Sequence, residues 1–231
     1  MRGRVQLVLV LFALATTAPA EIIDRILATV NGVPITASEW DDAVHFEALL
    51  AGRAPDAVTA EDRQAALERL IDQALIEQQI RSSKFAEASD EEVTAHAADL
   101  RRQLTPSADD TAWQKLLANY GLTEMDLRER IHLQVDELRF VEQRFRPTVR
   151  VSSGEIARYY RDDFVPKVRK AGAEPRPLSD VSAQIEQLLA EQQVNALMAA
   201  WLQNLRTQAQ IAYHDAPAAA AKPRPQENTG H

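Results

Sequence analysis

The sequence predicts a mainly α-helical protein with a small β element that joins its two ends. Strong helix formers such as Ala, Leu, Glu, Gln and Arg are abundant, while the 231 residues include only 7 glycines. Helix start signals recur along the chain, and short strand-like segments lie near its opposite ends. We therefore expect a core of about seven helices, with an N-terminal hairpin completed by a C-terminal strand.

The first twenty residues have the features of a secretory signal peptide. Arg2 and Arg4 give a positive start, Val5 to Ala15 is an apolar run, and Ala18-Pro19-Ala20 is a small-residue cleavage site. The apolar run is too short to span a bilayer. We expect export and cleavage after Ala20; the alternative is an anchor that stays uncleaved.

The segment "ILATVNGVPIT", Ile26 to Thr36, has the pattern of two strands around Asn31-Gly32. An Asn-Gly pair suits a type I′ turn, which needs positive φ at both central residues. A two-stranded hairpin is marginal alone. The other strand-like segment, Ile211 to His214, lies at the far end of the chain. We infer that it pairs with the hairpin, so that the first and last segments form one lobe and the middle helices an arm.

Helix starts are marked by hydroxyl and carboxylate residues. Thr36, Ser89 and Ser152 each precede a glutamate by three residues, which is the capping-box spacing. Further N-caps are expected at Thr59, Asp109 or Asp110, Thr123 and Ser179. These signals predict helices over residues 37–51, 60–82, 90–104, 110–119, 124–145, 153–164 and 179–208.

Two proline-rich stretches interrupt or follow this helical pattern. The sixth helix is expected to end near Pro166, because a segment with Gly172, Pro175 and Pro177 follows. The stretch 216–231 is Ala/Pro-rich and polar, and it is expected to be disordered because it cannot bury enough apolar surface. Residues 21–215 are therefore the predicted folded domain.

The composition excludes several classes of chemistry. The chain has no cysteine, so disulfides and thiolate metal sites are excluded. None of the 5 histidines has another at the i+3 or i+4 spacing, and no phosphate-binding loop or nucleophile motif occurs. A formal net charge of -8 without a basic cluster disfavours nucleic acid as a partner. The sequence thus predicts no catalytic residue, no metal and no cofactor.

Aromatic side chains are the remaining candidates for a binding surface. Tyr159, Tyr160 and Phe164 lie just before the Pro/Gly segment, and Trp113 and Tyr120 lie on or just after the fourth helix. One interpretation is contact with extended apolar segments of other chains, which needs exposed apolar area. The alternative for each ring is core packing with a polar tip in water.

Four segments resemble the core of SurA-type periplasmic chaperones and their relatives PrsA and PpiD. The start "IIDRILATVNGVPITASEWDDAV" resembles the mature N-terminus of that family. The segment "ALERLIDQALIEQQIRSS" resembles its long second helix, and "VSSGEIARYY" the helix that leads into its isomerase domain. Pro177 to Ile211 resembles its closing helix and strand. The shared order of the four segments carries the resemblance.

The chain departs from the family's isomerases at one place. Only Arg161 to Arg176 stands where those proteins insert a parvulin domain, and 16 residues cannot form one. The resemblance therefore implies an ATP-independent periplasmic holdase without isomerase activity. Its expected partners are unfolded or nascent exported proteins, with outer-membrane proteins as one class. The alternatives are a peptidyl-prolyl isomerase, and a dedicated partner or scaffold protein for one target.

Overall fold

A computed structural model describes residues 24–83, 85–105 and 109–214. The predicted signal peptide and the stretch 216–231 lie outside the described residues. Most of the described chain is helical, so the mainly α class is confirmed. Among the described residues, no helix combines the length and the apolarity that crossing a bilayer requires. The elements are β1 (Ile26–Val30), β2 (Val33–Thr36), α1 (Ala37–Leu50), α2 (Ala60–Ser82), α3 (Asp90–Leu104), α4 (Asp110–Asn119), α5 (Glu124–Phe145), α6 (Ser153–Tyr159), α7 (Val165–Lys170), α8 (Leu178–Gln208) and β3 (Ile211–Tyr213).

The two ends of the described chain meet in one antiparallel sheet of order β2-β1-β3. Asn31 and Gly32 have φ of 52° and 84°, as the predicted type I′ turn requires. β1 is the central strand, since Thr29 pairs with Pro34 on one side and with Ala212 on the other. The predicted joining of the hairpin by the C-terminal strand is confirmed.

Asn31 connects the hairpin turn to both α2 and the end of α8. Its backbone N–H donates to the Gln210 carbonyl at 2.8 Å, and its Oδ1 accepts from the Gln210 N–H at 2.9 Å. Its Nδ2 donates to Gln78 Oε1 at 2.7 Å. Asn suits this position for two reasons. Its short polar side chain makes these hydrogen bonds, and Asn tolerates the left-handed region better than most residues.

Replacement of Asn31 by Ala should lower the free energy of unfolding by about 2 kcal/mol, from backbone strain and lost hydrogen bonds together. Urea denaturation followed by circular dichroism measures this change. Asn31→Gly is the matched control, since it removes the same side chain without the strain. Equal stability of the Ala and Gly variants would contradict the strain contribution.

The helix starts follow the predicted capping pattern with one exception. Capping boxes form at all three predicted sites, and also at Thr59 with Asp62 and at Thr123 with Asp126. The prediction for Ser179 is wrong. The N-cap of α8 is Pro177, which has no side-chain cap bond, and the Ser179 hydroxyl donates instead to Asp180.

The predicted end of the sixth helix near Pro166 is also wrong. A π turn, Tyr160–Phe164, connects α6 to α7 without a break, and the helix continues to Lys170. The Val165 N–H bonds to the Tyr160 carbonyl five residues back, which widens the turn. Pro166 directly follows this widened turn, which accommodates the proline ring and its missing N–H inside the helix.

Three clusters of buried apolar side chains hold the helices together, and α5 or α8 takes part in each. The sheet cluster joins β1 and β2 to α1 and α2 around Leu27, Trp40, Leu67 and Ile71, with Leu205 of α8 packed against it. The arm cluster joins α1, α3, α4 and α5. A third cluster joins the end of α5 to α8. The predicted division into one lobe and an arm stays a prediction.

Candidate functional site

A groove lies between α2 and α5. It consists of two adjoining cavities of about 280 and 310 Å³, which share Leu70, Gln73 and Arg130 as lining residues. We call this surface the α2–α5 groove. Its apolar lining is Val33, Pro34, Ile35, Ala43, Phe46, Ala66, Leu70, Ala74, Ile76, Leu133, Met198 and Leu202.

Helical spacing explains which side chains face the groove. On α2, Leu70, Ala74 and Glu77 recur at intervals of four and three residues, so they share one face. On α5, Arg130, Leu133 and Glu137 follow the same spacing from the opposite side. Both faces alternate apolar and charged side chains, which differs from the wholly apolar stripe of a buried helix face.

Ionisable groups in the groove are partly removed from water. Burial raises the pKa of Glu137, and the negative charges of Asp72 and Glu77 on α2 raise it further. Burial also raises the pKa of Glu77, against the lowering effect of its hydrogen bond from Gln73. Burial lowers the pKa of Arg130, although Asp42 and Glu39 oppose that shift. The groove is therefore dry enough to strengthen charge interactions.

Glu137 is the one of these carboxylates that lacks a compensating group in the described chain. No described side chain or backbone N–H donates to it, and no described cation pairs with it. Asp72, by contrast, pairs with Arg206, and Glu77 pairs with Arg81 at 3.6 Å. A half-buried carboxylate without a partner lowers the stability of the fold when it is charged.

The pH dependence of stability should reveal this carboxylate. Because its folded pKa is raised above 4.5, protonated Glu137 contributes stability that is present below about pH 4.5 and is lost as pH rises through the folded pKa. Glu137→Gln should therefore match the native chain near pH 4.5 and exceed its stability at pH 7. Urea denaturation at both pH values tests this, with Glu186→Gln on the exposed face of α8 as the matched control. A difference that does not grow with pH would contradict the assignment.

A further cavity extends the apolar surface around α5. Its volume is about 340 Å³, and it shares Gln134 with the α2–α5 groove. Leu50 and Leu138 line it and are 43% and 60% exposed, which is unusual for leucines that face a concavity. We call it the α3–α5 cavity. Together the two surfaces present apolar area beside polar rims, as a peptide-binding site needs.

The five aromatic residues predicted for peptide contact divide into two groups in the structure. Tyr160 and Phe164 stack with their ring centroids 5.6 Å apart, and Lys167 lies 5.7 Å from the centre of the half-buried Tyr159 ring. The Tyr160 hydroxyl donates to the Arg176 carbonyl at 2.8 Å. These three rings therefore lie at the end of α6 and in the π turn that follows it.

Trp113 and Tyr120 lie elsewhere, inside the arm cluster. Trp113 is buried, and its Nε1 donates to Glu124 at 2.9 Å. Tyr120 is also buried, and its hydroxyl donates to the Arg53 carbonyl at 2.9 Å. Both rings pack the arm in this conformation, because Trp113, Leu117 and Tyr120 recur on one face. Peptide contact by these two rings stays a prediction, and it would require the arm cluster to open.

The acidic and histidine side chains of the described chain do not form a metal site. Across residues 24–83, 85–105 and 109–214, no three His, Asp or Glu side chains are placed to hold a metal ion. The residues that line the groove were not predicted from the sequence. The stripes of α2 and α5, which mix apolar and charged side chains, nevertheless indicate them. An apolar stripe that includes charged residues at the same spacing indicates a face in contact with both protein and water.

Comparison with known proteins identifies the family. The profile of the SurA-like N-terminal domain matches residues 4–137, which is more than half of the chain. The chain belongs to the SurA-like N-terminal domain family. The matched region contains the hairpin, α1 to α4 and most of α5, and hence both walls of the α2–α5 groove. No curated protein sequence matches the chain.

A solved structure extends the likeness beyond the matched region. It comes from work describing the virulence factor PEB4 and the periplasmic protein Cj1289 of Campylobacter jejuni as structurally related SurA-like chaperones. The superposition has a TM-score of 0.51 at 12% sequence identity, and it covers 84% of this chain and 100% of the other. At that identity the likeness concerns the fold alone.

Proposed function

We propose that this SurA-like protein is an ATP-independent holdase that binds unfolded or partly folded exported proteins in the periplasm. The observation that carries the proposal is the continuous α2–α5 groove, which adjoins the exposed leucines of the α3–α5 cavity. Membership of a chaperone-type domain family supports it, as does the predicted signal peptide. Binding the unfolded chain lowers its free concentration and so opposes aggregation.

The proposed binding surface has two parts. The groove and the α3–α5 cavity form the main part, because they adjoin at Gln134 and combine apolar and polar lining residues. Tyr159, Tyr160 and Phe164, at the end of α6 and in the π turn, form a second part, where partly exposed rings can contact apolar client side chains. Neither part needs a reactive group or a cofactor, because a holdase works by reversible contact alone.

Isomerase activity is not included in the proposal. Between Tyr159 and Leu178 the described chain forms the π turn, α7 and a short turn through Gly172. The resemblance of the flanking segments implies that this stretch stands where the isomerases of the family insert their catalytic domain. A prolyl-peptide isomerisation assay should therefore show the uncatalysed rate, and clear catalysis would overturn this part of the proposal.

Light scattering tests the holdase function directly. An unfolded outer-membrane-type protein is diluted into buffer without ATP, with and without the chain from Glu21 to His231. Near-stoichiometric suppression of aggregation is expected. No suppression for several unrelated clients would contradict the proposal, and a pulldown that returns one stoichiometric partner would then favour a dedicated partner protein.

A paired variant locates the activity. Replacing both Leu50 and Leu138 by Ser should weaken suppression, because both side chains line the α3–α5 cavity. Replacing both Leu188 and Leu197 by Ser is the matched control, since these leucines on α8 are 37% and 40% exposed. If the two double variants suppress aggregation equally, the α3–α5 cavity is not part of the binding surface.

A further inference from the structure

The α2–α5 groove has a strong excess of negative charge. Five carboxylates line its first cavity and three line its second, whereas three arginines, Arg69, Arg81 and Arg130, line the two cavities together. These arginines are already engaged. Arg69 binds Glu47, Arg81 pairs with Glu77, and Arg130 donates to the Glu39 carbonyl at 2.7 Å. Arginines pair with three of the eight carboxylates, so an occupant of the groove meets the other five, for which the described chain shows no ion pair.

Part of this negative charge is concentrated around Glu137. Asp72 and Glu77 face it from α2, and both act on it as like charges. Arg206 of α8 lies behind Asp72 and is bound to that residue and to Glu68. Glu47 of α1 and Arg130 of α5 line the same cavity. A cation from outside would thus meet Glu137 as the carboxylate that has no paired cation among the described residues, since Arg206 and Arg81 already pair with Asp72 and Glu77.

The apolar lining restricts what kind of cation can enter. Leu70 of α2 and Met198 and Leu202 of α8 are partly exposed and line the second cavity together with Glu137. A small hydrated ion would leave this apolar surface uncovered. Long side chains with an apolar stem and a charged end, such as Lys and Arg, satisfy both features of the lining.

We propose that the α2–α5 groove selects extended client segments in which Lys or Arg alternates with apolar residues. This inference rests on the proposed holdase function and names the class of segment that the groove accepts. The client cation pairs with Glu137, which has no paired cation in the described chain, and the neighbouring apolar side chains of the client cover the partly exposed Leu70 and Leu202. Acidic segments are rejected, since like charges in a partly dry groove repel strongly.

Fluorescence anisotropy with three matched peptides tests this selection. The peptides share the same apolar residues and carry Lys, Ser or Glu at every second position. The Lys peptide should bind about tenfold more tightly than the Ser peptide, and the Glu peptide more weakly than either. Salt of about 0.5 M should reduce these differences, because it screens charges beyond a few ångströms.

A double variant distinguishes the groove from the overall acidity of the protein. Glu77→Gln with Glu137→Gln should remove most of the preference for Lys. Glu91→Gln with Glu186→Gln removes the same charge from exposed positions on α3 and α8, and it should preserve the preference. Equal binding of the three peptides, no peptide binding, or loss of the preference in both double variants would each overturn the inference.

Aggregation suppression is measured in parallel with the same variants. Suppression without a preference for Lys would overturn the selection and leave the holdase function in place. Loss of both suppression and peptide binding would overturn the holdase function as well.

Discussion

A chain that ends at Gln210 should unfold with a free energy about 4 kcal/mol lower than a chain that ends at Asp215, because it lacks the third strand and its ladder of hydrogen bonds. β3 pairs with β1 from Ala28 to Val30, and the His214 N–H donates to the Leu27 carbonyl at 2.8 Å. Ile211 also packs against the sheet cluster. Urea denaturation of both chains measures the difference.

The chain that ends at Asp215 is the control, since it lacks the same 216–231 stretch and keeps β3. Should the shorter chain fail to fold, Ala212→Pro in the full chain tests the same strand, because proline removes a backbone donor from the pairing. Ala212→Gly controls for the side chain. A difference below about 1 kcal/mol for truncation and substitution alike would contradict the role of β3.

Local chemistry explains why the helices could be predicted so closely from the sequence. A hydroxyl followed three residues later by a carboxylate satisfies the free N–H groups of a first turn by itself, so Thr36, Ser89 and Ser152 mark helix starts without help from tertiary contacts. Asn31-Gly32 specifies its turn in the same local way. The pairing of β1 with β3 could be predicted because a two-stranded hairpin is only marginally stable without a third strand.

Features that depend on distant contacts were harder to predict. Pro166 indicates a helix end unless a π turn makes room for its ring, and no local pattern identifies that turn. Ser179 resembles an N-cap, but the helix already begins at Leu178. Trp113 and Tyr120 share a face with Leu117, and only the fold shows that α3 and α5 cover that face. The groove itself arises where two helices far apart in the sequence meet.

Replacing Arg206 by Met should lower the free energy of unfolding by about 3 kcal/mol, because it leaves partly buried carboxylates without their cation. Arg206 bonds to Asp72, to the Glu68 carboxylate at 2.7 Å and to the Glu68 carbonyl at 2.9 Å. Burial lowers the pKa of this guanidinium, but the hydrogen bonds to Asp72 and Glu68 outweigh burial and raise it overall. Tyr213 of β3 donates to the same Glu68, so one cluster ties α8 and β3 to α2.

Urea denaturation of three variants separates charge from geometry. Arg206→Lys should lie between the native chain and Arg206→Met, since an ammonium keeps the charge and loses the planar set of donors. Arg81→Met, whose side chain is 59% exposed and paired with Glu77 at 3.6 Å, should change stability by less than about 1 kcal/mol. If Arg206→Met and Arg81→Met lowered the free energy of unfolding equally, the Arg206 cluster would contribute no more stability than an exposed ion pair.

The same substitution should also alter the groove. Arg206 holds α8 against α2, and Met198 and Leu202 of that helix close the second cavity. Without Arg206, Asp72 loses its cation and adds an uncompensated charge beside Glu137 and Glu77. The Arg206→Met variant should then bind the Lys peptide at least as tightly as the native chain while it unfolds more easily. Anisotropy below the unfolding transition measures this, and weaker binding would show that α8 positions the groove rather than supplying a competing cation.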